Sequence, residues 1–445
     1  MQGDTWASTM ASVQCDAFGK ELLEEEASFL YKYKGVVPVG ILGQIDDLIG
    51  VTEAGYKAQQ MNSYINVKTA DKYLQFGPDK CKSMLVGSIR QKHDFYNPNL
   101  EVDTWNITHN KEGNVNESFG GKTQMEEVQN MLYLGVVISC DGNNSKNINH
   151  KQNRALGTQK QIMSMVKGLG RYTAECGFIY LNSILRGSIL YATETMMNIK
   201  EKDFRHIEQI EEDLMRKLFS TDMSCPIHLM YLEAGQTPAR FQIKRMILIF
   251  YQYILQQKEE SMMFQMLAAQ ITNPTKNDFN ETVNNILREF EISFSINEIK
   301  DMKKSIFKNI IKKKCINSSY EYLVSKQKGG SKGKFIQYSR LSMADYLLPD
   351  AGFSLEEQKE LFSIRCRTNK MNANRGILEY CFTKCGEILN NCHIFKCKIL
   401  NERESEEEYD MDKILNGFNT EKKLHLIKWR KNIEKLKCYQ TSGTS

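Results

Sequence analysis

Apolar residues recur at helical spacing early in the chain. Phe18, Leu22, Leu23, Phe29 and Leu30 share one side and Glu24–Glu26 the other, which predicts a helix with a lead-in over residues 1–34. Two short apolar runs follow, Val36–Leu42 and Leu48–Val51, flanking Gln44-Ile45-Asp46-Asp47. Polar turn residues between two β-type runs predict a hairpin. Residues 54–73 return to helical patterning. Gly77-Pro78-Asp79 predicts a turn into a short strand at Ser83–Gly87, and the polar stretch 88–130, with Gly113-Asn114 and Gly120-Gly121, predicts a surface excursion. Tyr133–Ser139 predicts one strand, closed by an Asp141-Gly142 turn.

From about residue 145 the pattern becomes helical, with long stretches at 147–168, 173–196 and 202–218. The 7 prolines of the chain leave room for such lengths. Asn273-Pro274-Thr275-Lys276-Asn277-Asp278 predicts a break followed by a helix start. Helices resume to about 325, Lys328–Lys334 reads as a flexible basic linker, and 341–379 reads as helical again. An acidic stretch at 402–412 precedes a last basic helix near 421–438.

At 445 residues, with 41% hydrophobic and 25% charged positions, the composition is that of a multidomain globular protein. Collagen, coiled-coil rods and wholesale disorder are excluded. The apolar runs stop well short of the roughly 18 residues of a membrane span. Residues 1–10 carry no basic-then-apolar leader, so the expected setting is intracellular, nuclear or cytoplasmic, without a membrane partner. The 12 cysteines are then expected to be reduced thiols.

The net charge of +5 conceals a concentration. Arg288–Asp345 holds 13 Lys/Arg against 6 acids, a net of +7, and the rest of the chain sums to −2. Lys304, Lys308 and Lys312 recur at helical spacing, and Lys313 and Lys314 extend the patch. Such a stripe suits phosphate-backbone contact, and a solvated helix face has the same pattern. Phe307, Tyr320, Tyr322, Phe335 and Tyr338 are interleaved and could stack on unpaired bases.

Asp46-Asp47 is the most informative pair. Adjacent carboxylates repel unless a cation compensates them, and metal-assisted phosphoryl transfer uses carboxylates to clamp divalent ions. Aspartate is also common on solvated turns. A second cluster is Cys381-x₃-Cys385-x₇-His393-x₃-Cys397, with Cys392 beside it. Four N/S donors at this spacing suit tetrahedral Zn²⁺, with Cys392 able to replace His393; buried structural thiols are the plainer alternative.

Several motifs occur in order: Gln2-Gly3, Asp16-Ala17-Phe18-Gly19-Lys20, Gln44-Ile45-Asp46-Asp47, Phe76-Gly77-Pro78-Asp79-Lys80-Cys81 and Tyr133-Leu134-Gly135-Val136-Val137-Ile138. Together they resemble the later palm motifs of reverse transcriptases from non-LTR (LINE-like) retrotransposons. Gln44-Ile45 departs from the family's aromatic-Ala before the Asp pair. The Cys/His spacing resembles the knuckle these proteins carry after the polymerase.

The resemblance implies an α+β fold with five parts. These are a partial palm over 1–144, a helical thumb and connection over 145–270, a helical basic linker over 271–379, a zinc knuckle over 380–400, and an acidic linker with a basic helix over 401–445. It implies RNA-directed DNA polymerase activity on an RNA template with a DNA primer or target DNA. Asp46 would bind Mg²⁺ with Asp47 in support. Lys80 would assist the leaving pyrophosphate, Gln2 and Gly3 would lie near nucleotide or template, and Tyr133, Leu134 and Gly135 would grip the primer end. The family's further metal-binding Asp lies on a strand upstream of the Gln-Gly helix, and only Met1 precedes Gln2 here. The expectation is therefore a carboxy-terminal part of such an enzyme, inactive alone; a nucleic-acid-binding protein derived from a retroelement is the alternative, and a helical protein-interaction module a lesser one.

Overall fold

Lys34 and Gly35 both adopt positive φ (47° and 77°) and turn the chain between β1 (Tyr31–Tyr33) and β2 (Val37–Val39). The computed structural model describes residues 31–44, 47–70, 77–86, 100–109, 115–168, 174–196, 199–221, 225–329, 338–366 and Ile427. The described residues mix small sheets with many helices and are mostly helical, consistent with the α+β class. They form two compact units. The first holds the described residues up to His150, with Met196, Ile199 and Tyr251–Asn285. The second holds the described residues of Lys151–Thr195, Lys200–Phe250 and those from Ile286 onward.

In the first unit every sheet among the described residues is two-stranded. β3 (Ile41–Gln44) pairs antiparallel with β4 (Asp47–Gly50), and α1 (Gly55–Ala70) backs β4 through buried Met61, whose sulfur sits close over Gly50. The run Val36–Leu42 is thus divided at Gly40 between two hairpins, not one strand. Of the helix expected over 1–34, residues 1–30 lie outside the described residues, and Tyr31–Tyr33 are strand instead, because they have a partner in β2 and the Tyr33 hydroxyl accepts a bond from Gln270 Nε2 at 2.9 Å.

A 3-10 turn at Pro78–Lys80 leads to β5 (Lys82–Ser83), which pairs parallel with β8 (Glu126–Glu127). The polar excursion of 88–130 contains a long antiparallel ribbon, β6 (Glu101–His109) with β7 (Val115–Gln124), bulged at Thr104/Trp105. The Gln59 amide of α1 ties this ribbon down by bonding Glu101 N–H at 2.7 Å and its carbonyl at 3.0 Å, as a neighbouring strand would. Polarity misled here because a two-stranded ribbon can leave side chains wet: Phe119, Gly120 and Lys122–Gln124 are exposed, and among the ribbon's described side chains Val102 turns fully inward.

The expected strand Tyr133–Ser139 is instead a tight hairpin, β9 (Asn130–Tyr133) with β10 (Val136–Ser139). Leu134 (φ 47°) and Gly135 (φ 79°) form its two-residue connection. Two successive positive φ values match the twist of the flanking strands, and glycine supplies one of them without strain.

α2 (Ser145–Gly168) opens the helical stretch. α3 (Ala174–Tyr180), a π turn (Leu181–Leu185) and α4 (Arg186–Ile189) follow without a break in the helix. Next come α5 (Glu201–Phe219), α6 (Ile227–Glu233), α7 (Ala239–Leu255), α8 (Met262–Thr272), α9 (Phe279–Glu289), α10 (Ile296–Asp301) and α11 (Lys304–Gly329). The predicted break at 273–278 is present. Asp278 accepts bonds from Thr275 N–H and Glu281 N–H, both at 2.8 Å, and so starts α9.

Residues 341–379, read as helical, begin with irregular chain and two 3-10 turns (Asp345–Leu347 and Pro349–Ala351) before α12 (Leu355–Arg365). Pro349 and Gly352 interrupt the helical register, and Ser354 with Glu357 restarts it as a reciprocal cap. The second unit's core stacks Phe219 on Phe362 at 4.0 Å and packs Phe178 at a tilt against Phe219 at 5.6 Å. Among the described residues no helix is long and apolar enough to cross a membrane.

Candidate functional site

Asp47 opens β4, its Cα opposite Gln44, so only Ile45 and Asp46 lie between the paired ends of the hairpin. Asp46 itself lies outside the described residues, as do Gln2 and Gly3. The base of the hairpin is anchored: Val51 N–H bonds the Gly40 carbonyl at 3.0 Å and Leu48 and Ile49 are half-buried. Lys80 ends its 3-10 turn with an exposed side chain. Beside it, Lys82 pairs with Glu126 at 2.9 Å. Tyr133, Leu134 and Gly135 occupy the β9–β10 turn, where Leu132 and Leu134 are exposed.

The basic patch lies on α11. Phe307, Ile311, Cys315, Ser319 and Leu323, four residues apart, form its buried face. Lys304, Lys308, Lys312 and Lys313 are exposed, while Lys314 is half-buried and donates to the Glu291 carbonyl at 3.1 Å. Of the interleaved aromatics, the structure removes Phe307 from any stacking role and gives Tyr320 and Tyr322 partners within the fold. Phe307 is fully buried, the Tyr320 hydroxyl donates to the Tyr338 carbonyl, and Tyr322 packs on Phe241 and Arg240. Phe335 lies outside the described residues.

Cys381, Cys385, Cys392, His393 and Cys397 also lie outside the described residues. Among those described, no three His, Cys, Asp or Glu side chains gather to hold a metal ion. The described cysteines (Cys81, Cys140, Cys176, Cys225, Cys315 and Cys366) form no disulfide among themselves.

Sequence reasoning missed the second unit's buried charges. Glu211 is fully buried and takes Arg186 Nε at 2.6 Å, the Tyr231 hydroxyl at 2.9 Å and Ala239 N–H at 3.2 Å. Burial opposes the charge on Arg186, and the Glu211 carboxylate more than offsets that, holding its pKa above the usual value. Burial and the same carboxylate push Tyr231 well up. Glu233 is likewise buried and gathers Arg365, Tyr338 and Tyr346. Arg240 joins Glu208 at 2.6 Å and Glu201 at 2.8 Å. The available signal was charge inside apolar stripes: Glu208, Glu211 and Glu212 share a helix face with Ile207, Ile210 and Leu214, all buried.

Comparison with protein-family models and with curated proteins gives no match for this chain.

Proposed function

We propose that the chain carries later palm and thumb elements of a non-LTR retrotransposon reverse transcriptase, a metal-assisted RNA-directed DNA polymerase. One observation supports this: the β3–β4 register, in which Asp47 opens β4 opposite Gln44 in a hairpin braced by α1. Asp46 would ligate Mg²⁺ with Asp47 as its neighbour, in the way carboxylates hold ions that also bind substrate phosphates. Lys80, exposed on its turn, is free to approach a leaving pyrophosphate. Gln2 and Gly3 would contact nucleotide or template. The exposed leucines of the β9–β10 hairpin give Tyr133, Leu134 and Gly135 an apolar surface for a primer end. The exposed lysines of α11 support contact with an RNA template or DNA primer.

Iron-mediated scission tests the metal directly, because Fe²⁺ in a Mg²⁺ site cuts nearby backbone without polymerisation. Cleavage around residues 44–48, lost in Asp46→Asn, is expected. Primer extension on RNA with Mg²⁺ or Mn²⁺, abolished by Asp46→Ala, would support activity. Absence of localised scission would overturn the carboxylate assignment. We also propose Zn²⁺ at Cys381, Cys385, His393 and Cys397. Elemental analysis should find one zinc per chain, lost in Cys385→Ser, and comparing His393→Ala with Cys392→Ser identifies the third ligand.

A further inference from the structure

Between α3 and α4 the π turn at Leu181–Leu185 closes with Arg186 N–H bonded to the Leu181 carbonyl, five residues back. Such turns are rare and occur often at functional sites. Asn182 and Arg186 from this stretch line an open groove of about 380 Å³ with Gly187, Tyr191, Gln242 and Arg245. That volume lies near the small end of the roughly 300–1,000 Å³ typical of ligand pockets.

The two arginines differ. Arg186 is saturated: its guanidinium donates to Glu211, Asn182, Gln236 and the Thr237 carbonyl, so it forms a neutralised wall. Arg245 Nη1 donates to Gln242 Oε1 at 3.0 Å, while its Nε is buried without an acceptor and no carboxylate pairs with it among the described residues. The Arg245 side chain is half-buried and lines the groove, and an oxyanion is the best partner for a guanidinium that no carboxylate neutralises. Tyr191, also on the lining, is 51% exposed. The buried Lys151 ammonium donates to its carbonyl and stands 5.7 Å from its ring centroid.

We propose that this groove binds a single nucleotide unit, with the phosphate on Arg245 and the base against Tyr191. Guanidinium for phosphate and an aromatic face for the base is the pairing that single-stranded nucleic-acid sites use. The groove uses none of the carboxylate-hairpin residues and does not rest on the polymerase reading.

The test titrates the full chain with a nucleoside 5′-monophosphate by calorimetry and with a labelled single-stranded oligonucleotide by anisotropy. A Cβ at Gly187 meets no atom within 4 Å, so Gly187→Trp fills the groove without a clash at its base. Gly187→Trp and Arg245→Gln are each expected to weaken binding by roughly tenfold or more while melting stays cooperative. A loss confined to the monophosphate assigns the site to free nucleotide, and a loss in the oligonucleotide assigns it to one unit of a strand. Affinities unchanged in both variants would overturn the proposal. Displacement by inorganic phosphate as effective as by the monophosphate would overturn the nucleotide assignment.

Discussion

Glu233 and Arg365, 132 residues apart in sequence, meet as a buried ion pair with Nε 2.9 Å from Oε2. The Tyr346 hydroxyl donates to the same carboxylate oxygen at 2.9 Å, and the Glu233 carbonyl accepts Ala344 N–H at 2.8 Å. One side chain thus joins the end of α6 to α12 and to the irregular chain before it. Removing either partner strands the other charge in the interior. Glu233→Ala and Arg365→Met should each cost about 3–5 kcal/mol. Tyr346→Phe, which removes one neutral donor, should cost about 1 kcal/mol. Urea denaturation of the three variants checks the order.

Two glycines make opposite predictions. Gly235 has φ +61° and its missing Cβ would lie 2.2 Å from the Met343 backbone nitrogen, where Ala234 and Met343 form an isolated β-bridge. Gly235→Ala combines a left-handed penalty of about 1–2 kcal/mol with a backbone clash, so a loss above about 2 kcal/mol is expected. Gly187 sits in α4 facing open space. Gly187→Ala should be neutral or raise stability by up to about 1 kcal/mol. Melting temperatures of the pair distinguish steric need from mere tolerance.

Lys151 provides a pH signature. Burial lowers its ammonium pKa to about 8; Arg154 adds to the depression and Glu194 opposes it. An unfolded lysine titrates near 10.4, so between roughly pH 8 and 10.4 the unfolded chain holds a proton that the folded chain has lost. Folding stability from this group therefore rises with pH across that window. The difference between wild type and Lys151→Met, followed by urea midpoints near pH 8 and near pH 10, should shift in the wild type's favour as pH rises.

The lysine stripe of α11 makes a salt-dependence prediction. Each phosphate neutralised on a single strand contributes about 0.7 to the slope of log affinity against log salt. Replacing Lys304, Lys308 and Lys312 with Ser should reduce that slope by about 2 if all three contact phosphate. An unchanged slope would assign the stripe to solvent. Binding isotherms at several salt concentrations measure it.

Legibility varied with the range of the interaction. The break before α9 and the carboxylate hairpin were readable because Asp278 caps its own helix start and β3 and β4 are joined by a short connection. Tyr133–Ser139 was read as one strand because the pattern supplies apolar residues on both sides of Leu134-Gly135. Only the positive φ at both positions reveals the turn. Phe307 was read as a base-stacking aromatic, yet it faces inward, since sequence gives a helix's period without saying which stripe finds a partner.

What the sequence determined alone was local: helix periods, turn chemistry, the Asp-Asp pair, the Cys/His cluster and the concentration of charge in 288–345. Tertiary structure decided the long-range pairings. Glu211 with Arg186, Glu233 with Arg365, and Arg240 with Glu208 and Glu201 bring together residues from distant segments. It also decided that Arg245, one of several arginines in an ordinary helical run, carries a buried donor without an acceptor. Desolvation is the physical reason. A charge on an apolar stripe must find an opposite charge or remain in water, and only the packed fold specifies which.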